Sequence, residues 1–141
     1  MIEIKSPTVL DAPVISCLLN SLGYPTTESL IEKRISQFLQ QADELLLVAY
    51  DAGEILGVIS LHFIPQLALS RDFCRISYFC VAETSRNKGI GALLESKAVE
   101  VAKERNCECI ELHCHSRRTD AHRFYHRQGY VESPKYLIKK I

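Results

Sequence analysis

The amino-acid sequence predicts an α+β domain built on a mixed sheet. Stretches of alternating polarity and stretches with apolar residues at helical spacing follow one another as β-α-α-β-β-β-α-β-α-β over 141 residues. A strand, a glycine-bearing loop and a helix stand in the middle of that order, at residues 73–105. The length suits one core, so the expectation is a single domain over residues 1–141.

Met1 to Lys5 alternates apolar and polar and reads as a short first strand. Thr8 or Asp11 can cap a helix that carries Pro13 in its first turn, where proline is tolerated. Its apolar stripe is Ile15, Leu18, Leu19 and Leu22, and Gly23-Tyr24-Pro25 breaks it. Thr26 or Thr27 starts a second helix, with Ile31, Ile35, Phe38, Leu39 and Ala42 directed inward. Leu45 to Tyr50 reads as a strand, Asp51-Ala52-Gly53-Glu54 as a hairpin turn, and Ile55 to Ile64 as the returning strand. Gly57 inside it marks a bulge or a close approach, and Pro65 ends it.

Phe73 to Val81 is the next strand. The helix at 89–105 repeats apolar residues at Ile90, Leu93, Leu94, Ala98, Val101 and Ala102. Cys109 to His115 is a fifth strand, and the crossover through the helix makes strands 73–81 and 109–115 parallel neighbours. A last helix spans 119–128, with Thr119 as N-cap and Gly129 as the residue that stops it. Tyr136 to Lys140 reads as a final strand.

Composition narrows the partners. Hydrophobic residues make up 47 % and charged residues 24 %, ordinary proportions for a globular domain. Seventeen basic and seventeen acidic side chains give a formal charge of zero, and no basic run occurs, so neither nucleic acid nor a membrane surface is expected as a partner. No apolar run approaches the ~20 residues that span a bilayer. The N-terminal residues lack the basic-then-apolar pattern of a signal peptide. Cys17, Cys74, Cys80, Cys107, Cys109 and Cys114 form no Cys-x-x-Cys pair, and several fall in apolar segments. They read as small buried hydrophobes in a reducing cytoplasm, with no disulfide framework.

The chemistry centres on the loop before the long helix. Gly89 and Gly91 stand where that helix begins, and glycine lets a ligand approach the backbone closely. Unpaired N–H groups and the positive end of the helix dipole make such a start an anion site, most often for phosphate. No Gly-Lys-Ser/Thr follows, so it is not a P-loop; Leu94 occupies the third position of Gly-x-Gly-x-x-Gly, so it is not a dinucleotide fingerprint. The loop does match Arg/Gln-x-x-Gly-x-Gly/Ala through Arg86, Gly89 and Gly91. Further on, Ala121, Phe124, Tyr125, Gly129 and Tyr130 match Ala-x-x-Phe-Tyr-x-x-x-Gly-Phe/Tyr. With these two motifs, in this order, the chain resembles the GCN5-related N-acetyltransferases. It is most similar in flavour to those acting on small molecules, such as aminoalkylphosphonates and aminoglycosides, through Asp120-Ala121-His122-Arg123-Phe124-Tyr125.

The resemblance implies an acyl-CoA N-acyltransferase fold, with a mostly antiparallel sheet flanked by helices and strands that splay apart to admit acetyl-CoA as cosubstrate. For the pyrophosphate of such a cosubstrate, the backbone from Asn87 through Lys88, Gly89, Ile90 and Gly91 to Ala92 can supply N–H donors and Arg86 and Lys88 the charge, and Arg117 and Arg118 can contact the CoA phosphates. The resemblance puts Phe79, Cys80 and Val81 along the pantetheine arm, the N–H of Val81 at the thioester carbonyl, and Tyr125 as the acid that protonates the departing thiolate. The acceptor implied is a small-molecule amine; a protein or peptide amine, or a non-catalytic acyl-CoA-binding regulatory role, are the alternatives, and a homodimer is left open. One departure stands out. Many members carry a glutamate on the strand before the phosphate loop, where this chain has Arg75 and Tyr78. Tyr78 through a water, His62, Glu111 and His113 remain as proton acceptors, and solvent acting through a water near Tyr78 is the expectation. Arg71 and Arg75 would suit an acceptor with an anionic group beside its amine. Glu111, His113 and His115 share a strand face but lack zinc-type spacing, so no metal is expected.

Overall fold

A computed structural model describes residues 1–114, 118–133 and 136–141. They fall into two compact units, Met1–Glu111 and Leu112–Ile141. The elements are β1 (Glu3–Lys5), α1 (Ala12–Leu22), α2 (Glu28–Gln40), β2 (Glu44–Asp51), β3 (Glu54–Ile64), β4 (Phe73–Val81), α3 (Ile90–Glu104), β5 (Cys109–Leu112) and α4 (Thr119–Arg127). The sheet has the order β1-β2-β3-β4-β5, and its first four strands pair antiparallel. Between β4 and β5 the contacts advance in the same direction. Arg71 meets Glu108, the Glu108 N–H donates to the Asp72 carbonyl, and Arg75 meets Glu111, so these strands run parallel. None of the helices among the described residues is long and apolar enough to cross a membrane.

Local chemistry sets the ends of the helices. Thr8 and Asp11 form a capping box around the single turn that leads into α1, and Pro13 lies in its first turn. α1 ends with Gly23 at φ 99°, and the Tyr24 N–H donates back to the Leu19 carbonyl at 2.9 Å, a Schellman closure. The Thr27 hydroxyl caps α2 by accepting from the Leu30 N–H. Ala52 and Gly53, both at positive φ, join β2 to β3 in a two-residue turn.

The two faces of the sheet have different neighbours. Val48, Val58 and Cys80 pack against Ala12, Ile15, Leu18, Ile31 and Ile35, so α1 and α2 cover one face. On the other, Gly57 lies against Ile90 and Leu94 of α3. Both readings of Gly57 hold. Ala49 pairs with Gly57 but Tyr50 with Ile55, which makes Leu56 a bulged residue beside it. A Cβ on Gly57 would stand 3.0 Å from both the Cys80 carbonyl oxygen and Leu94 Cδ1.

Several expectations need correction. Phe38 takes the inward place at the end of α2, edge-on to His62 at 6.1 Å, while Leu39 is 54 % exposed and Ala42 lies past the helix end in the open. Leu93 is exposed as well. The buried apolar stripe of α3 is Ile90, Leu94, Ala98 and Ala102, with Glu95 buried beside it; the stripe advances by about 40° every four residues and so turns away from Leu93. β5 stops at Leu112 rather than 115; His115 lies outside the described residues. Thr119 is the first helical residue of α4, and Arg118 stands at the N-cap with no side-chain hydrogen bond. Residues 136–141 form no strand and are exposed, because no ladder partner engages them among the described residues.

Candidate active site

Strand β4 carries the site. Ser60 pairs with Tyr78 and Leu61 with Ile76, so Ser77 is an extra residue in β4, a β-bulge. Alternation would send Ser77 and Tyr78 to opposite faces. The bulge turns both to the face of α1 and α2. Ser77 Oγ lies 2.5 Å from Nε2 of His62, whose ring faces Phe38 of α2. Tyr78 meets the ring of Tyr24 edge-on, centroids 5.0 Å apart, and Tyr24 sits between α1 and α2. Beyond the bulge the strand recovers its alternation. The Ala82 N–H donates to the Leu56 carbonyl at 2.7 Å, toward β3. Strand N–H groups alternate between edges, so those of Phe79 and Val81 turn to the β5 side. Cys80 is buried, its thiol donating to the Leu18 carbonyl at 3.3 Å.

A short turn, Glu83–Ser85, carries the chain from β4 to α3. Arg86, Asn87, Lys88 and Gly89 are exposed. Asn87 and Gly89 hold positive φ of 64° and 79°, which asparagine tolerates and glycine favours. Gly89 is the N-cap and has no side chain to cap the helix, so the first-turn N–H groups, through Ile90, Gly91 and Ala92, meet no capping side chain. Nothing lies within 4 Å of where a Gly89 Cβ would stand. Ile90, 2 % exposed and packed on Gly57, anchors the open helix start to the sheet. Fixed donors, the positive end of a 15-residue helix and the charges of Arg86 and Lys88 fit a pyrophosphate.

The charges on the face of β4 are already paired. Arg75 donates through Nε and Nη2 to one oxygen of Glu111, at 2.9 and 2.6 Å. Arg71 meets Glu108 at 2.7 Å. The expectation that these two arginines stand ready for an anionic acceptor therefore gives way: each already faces a carboxylate across the β4–β5 edge.

The second unit holds the other motif. α4 ends in a Schellman closure, with the Gly129 N–H donating to the His126 carbonyl and the Tyr130 N–H to the Tyr125 carbonyl, both at 3.0 Å. That closure places Tyr125 edge-on to Tyr130, centroids 5.5 Å apart, and Tyr125 also meets Phe124 at 5.4 Å. The Arg118 carbonyl accepts from the His122 N–H at 3.1 Å. His113 stacks on Tyr136 at 4.2 Å.

Comparison with known proteins decides the family. The sequence model described as Acetyltransferase (GNAT) family matches residues 17–130. The chain belongs to that family. A curated relative, the aminoalkylphosphonate N-acetyltransferase of Salmonella typhimurium, is 38 % identical over 81 residues, 57 % of this chain. The match covers 53 % of that relative, about half its length. Among solved structures, a protein described as a transcriptional regulator from Bacillus halodurans superposes with a TM-score of 0.91 at 25 % identity, with full coverage of both chains. A GNAT family acetyltransferase from Staphylococcus aureus gives 0.83 at 24 % identity, covering 99 % of this chain and 98 % of that one.

Within this GNAT fold, one continuous segment brings together Tyr78, Phe79, Cys80, Val81 and the loop from Arg86 to Ala92. Tyr125 and Arg118 belong to the second unit, and Arg117 lies outside the described residues. Of the proton acceptors weighed, Glu111 is bound to Arg75 and His113 is stacked on Tyr136, while His62 stands between Glu44 and Ser77. No group of three metal-ligating side chains occurs among the described residues. Sequence reasoning missed Ser77, Glu44 and Tyr24. A signal for the bulge was present: Cys74, Ile76, Phe79 and Val81 step by two, three and two, and the step of three is the extra residue.

Proposed function

We propose that this chain, acting as one catalytic domain over residues 1–141, transfers the acetyl group of acetyl-CoA to a primary amine of a small molecule by direct attack in a ternary complex. The observation that carries the reading is the run from the bulged strand β4 through the open loop to the uncapped start of α3. The backbone from Asn87 to Ala92 would hold the pyrophosphate, with Arg86, Lys88 and Arg118 supplying charge. Phe79, Cys80 and Val81 would pair with the pantetheine amides as a strand does. The Val81 N–H would donate to the thioester oxygen as charge develops there. Acetyl-CoA supplies an activated acyl carbon and a thiolate leaving group.

The acceptor amine arrives mostly protonated. At a pKa of ~10.4 only about 0.1 % is neutral near pH 7.4, a cost of about 4 kcal/mol. Tyr78, exposed beside the bulge, would hold the acceptor or a water there, and Tyr125 would return a proton to the thiolate. Likeness to the Salmonella enzyme supports a small acceptor, with an aminoalkylphosphonate among the first to try.

A second reading, a non-catalytic acyl-CoA-binding regulatory domain, draws on Arg75 and Tyr78 standing at the two strand positions where many members carry glutamate. One experiment separates the two. Purified protein with acetyl-CoA is screened for CoA release against aminoalkylphosphonates, aminoglycosides, polyamines and amino acids. Release with at least one amine is expected. Calorimetry on Gly91→Glu should show acetyl-CoA affinity reduced more than tenfold, because a carboxylate then stands at the helix start. Tight binding with no release by any amine would favour the regulatory reading.

A further inference from the structure

On the α1–α2 face of the sheet, three side chains from three strands stand in a row. Glu44 of β2 holds Nδ1 of His62 through its carboxylate, and His62 of β3 meets the hydroxyl of Ser77, the bulged residue of β4. We propose that this row is a proton relay that takes the proton from the acceptor amine, with Ser77 as its contact to substrate. The proposal rests on the acetyltransferase reading above.

The donor and acceptor roles follow from the groups themselves. A carboxylate only accepts, so Nδ1 of His62 carries the hydrogen that it donates to Glu44. Nε2 is then a lone pair, and the Ser77 hydroxyl donates to it. Both ring nitrogens are thereby engaged, and the ring has no third site for an amine. Ser77 is the exposed member of the row, whereas the side chains of His62 and Glu44 are 23 % and 21 % exposed. The hydroxyl retains lone pairs of its own and stands next to Tyr78 on the same face.

Other charges facing His62 are accounted for. Its register partner is Arg75, which is held by Glu111. α2 presents the ring of Phe38 to it, and β2 presents Glu44. Glu44 is also the register partner of His62 across β2 and β3, so the pair is built into the sheet. In this row Glu44 is a positioning residue: it selects the tautomer and stabilises the imidazolium that forms.

The step balances. The ammonium N–H bond breaks as an O–H bond forms at Ser77, and the original Ser77 proton moves to His62 Nε2. Nitrogen keeps the electron pair and uses it to form the amide bond as the carbon–sulfur bond of the thioester breaks; its second surplus proton is lost as the departing thiolate gains one, so CoA leaves as the thiol. The imidazolium then returns its proton to water. A relay of this kind replaces both the absent strand glutamate and the expected transfer to bulk solvent.

The test measures kcat and kcat/KM against pH for the wild type and for Ser77→Ala, Ser77→Thr, His62→Gln and Glu44→Gln. The wild-type rate should level off as pH rises instead of following the amine to its own pKa. Ser77→Ala and His62→Gln should lose about 10²-fold in kcat and climb with pH toward the amine's own pKa. Ser77→Thr, which keeps the hydroxyl and suits a strand, should restore the rate, and Glu44→Gln should shift the inflection. Acetyl-CoA affinity should be unchanged in Ser77→Ala, an exposed position where folding is not at risk. Wild-type rates and profiles in both Ser77→Ala and His62→Gln would overturn the relay while leaving the acetyltransferase reading intact. Acetylation of Ser77 itself, seen as added mass on the intact protein with ping-pong kinetics, would overturn it in favour of an acyl-enzyme. No CoA release from wild type with any amine would overturn both readings together.

Discussion

Arg75 and Glu111 are joined across β4 and β5 by two hydrogen bonds to one carboxylate oxygen, from Nε at 2.9 Å and Nη2 at 2.6 Å. Arg75 thus supplies a cross-strand tie, and the tie engages Glu111, the carboxylate of β5.

Reversing one partner should expose that tie. Arg75→Glu sets two carboxylates against each other. Because the Arg75 side chain is 39 % exposed and screened by water, the loss should be only about 0.5–1 kcal/mol. Urea unfolding should register it at low salt and less at about 1 M salt, where screening is short-ranged. Combining Arg75→Glu with Glu111→Arg should recover most of it. A double variant as weak as the single would mean that the pair does not stabilise the edge.

Gly57→Ala probes the seam between the sheet and α3. The added methyl would meet the Cys80 carbonyl oxygen and Leu94 Cδ1, each at 3.0 Å. Leu94 can rotate; a carbonyl inside a strand cannot move without disturbing the β3–β4 ladder. A loss of about 1–3 kcal/mol is expected, the range for overpacking. Because Ile90 packs on the same glycine, acetyl-CoA affinity should fall as well. Stability equal to wild type would show that the seam yields more readily than this packing suggests.

Tyr125→Phe tests the proposed acid. Phenylalanine keeps the edge contacts with Phe124 and Tyr130 and removes only the hydroxyl. If that hydroxyl protonates the thiolate, kcat should fall about 10²-fold or more with little change in the KM for acetyl-CoA. Turnover at the wild-type level would remove Tyr125 from the chemistry.

Cys74 should make alkaline stability pH-dependent. Burial, and secondarily the neighbouring Cys107 and Cys109 against the opposing Arg105, pushes its thiol up from 9.0 to about 12. Below pH 9 both folded and unfolded chains keep the proton, so stability is unaffected. Between pH 9 and about 12 only the unfolded chain releases it, so stability falls as pH rises, by about 1.4 kcal/mol per pH unit from this group. Denaturation midpoints across that window measure the slope, and Cys74→Ala should flatten it. An equal slope in that variant would assign the effect to other groups. At neutral pH a thiol reagent should modify exposed Cys17 before Cys74.

What the sequence determined by itself lay in local pattern. Helical spacing located the long helix, Gly89 and Gly91 located its open start, and the two motifs located the family. Pro13, Thr27, Gly53 and Gly129 marked element ends because capping and turn chemistry act within a few residues. Only the tertiary structure decided which polar side chains meet. Glu44, His62 and Ser77 lie 18 and 15 positions apart along the chain and touch because β2, β3 and β4 pair in a particular register. The same holds for Arg75 and Glu111, 36 positions apart. Whether Ser77 faces His62 turned on a single extra residue in β4. Strand side chains alternate with a period of two, so one inserted residue re-aims everything after it. That is why the strand could be read from its apolar residues, while its use of Ser77 needed the pairing of β3 with β4.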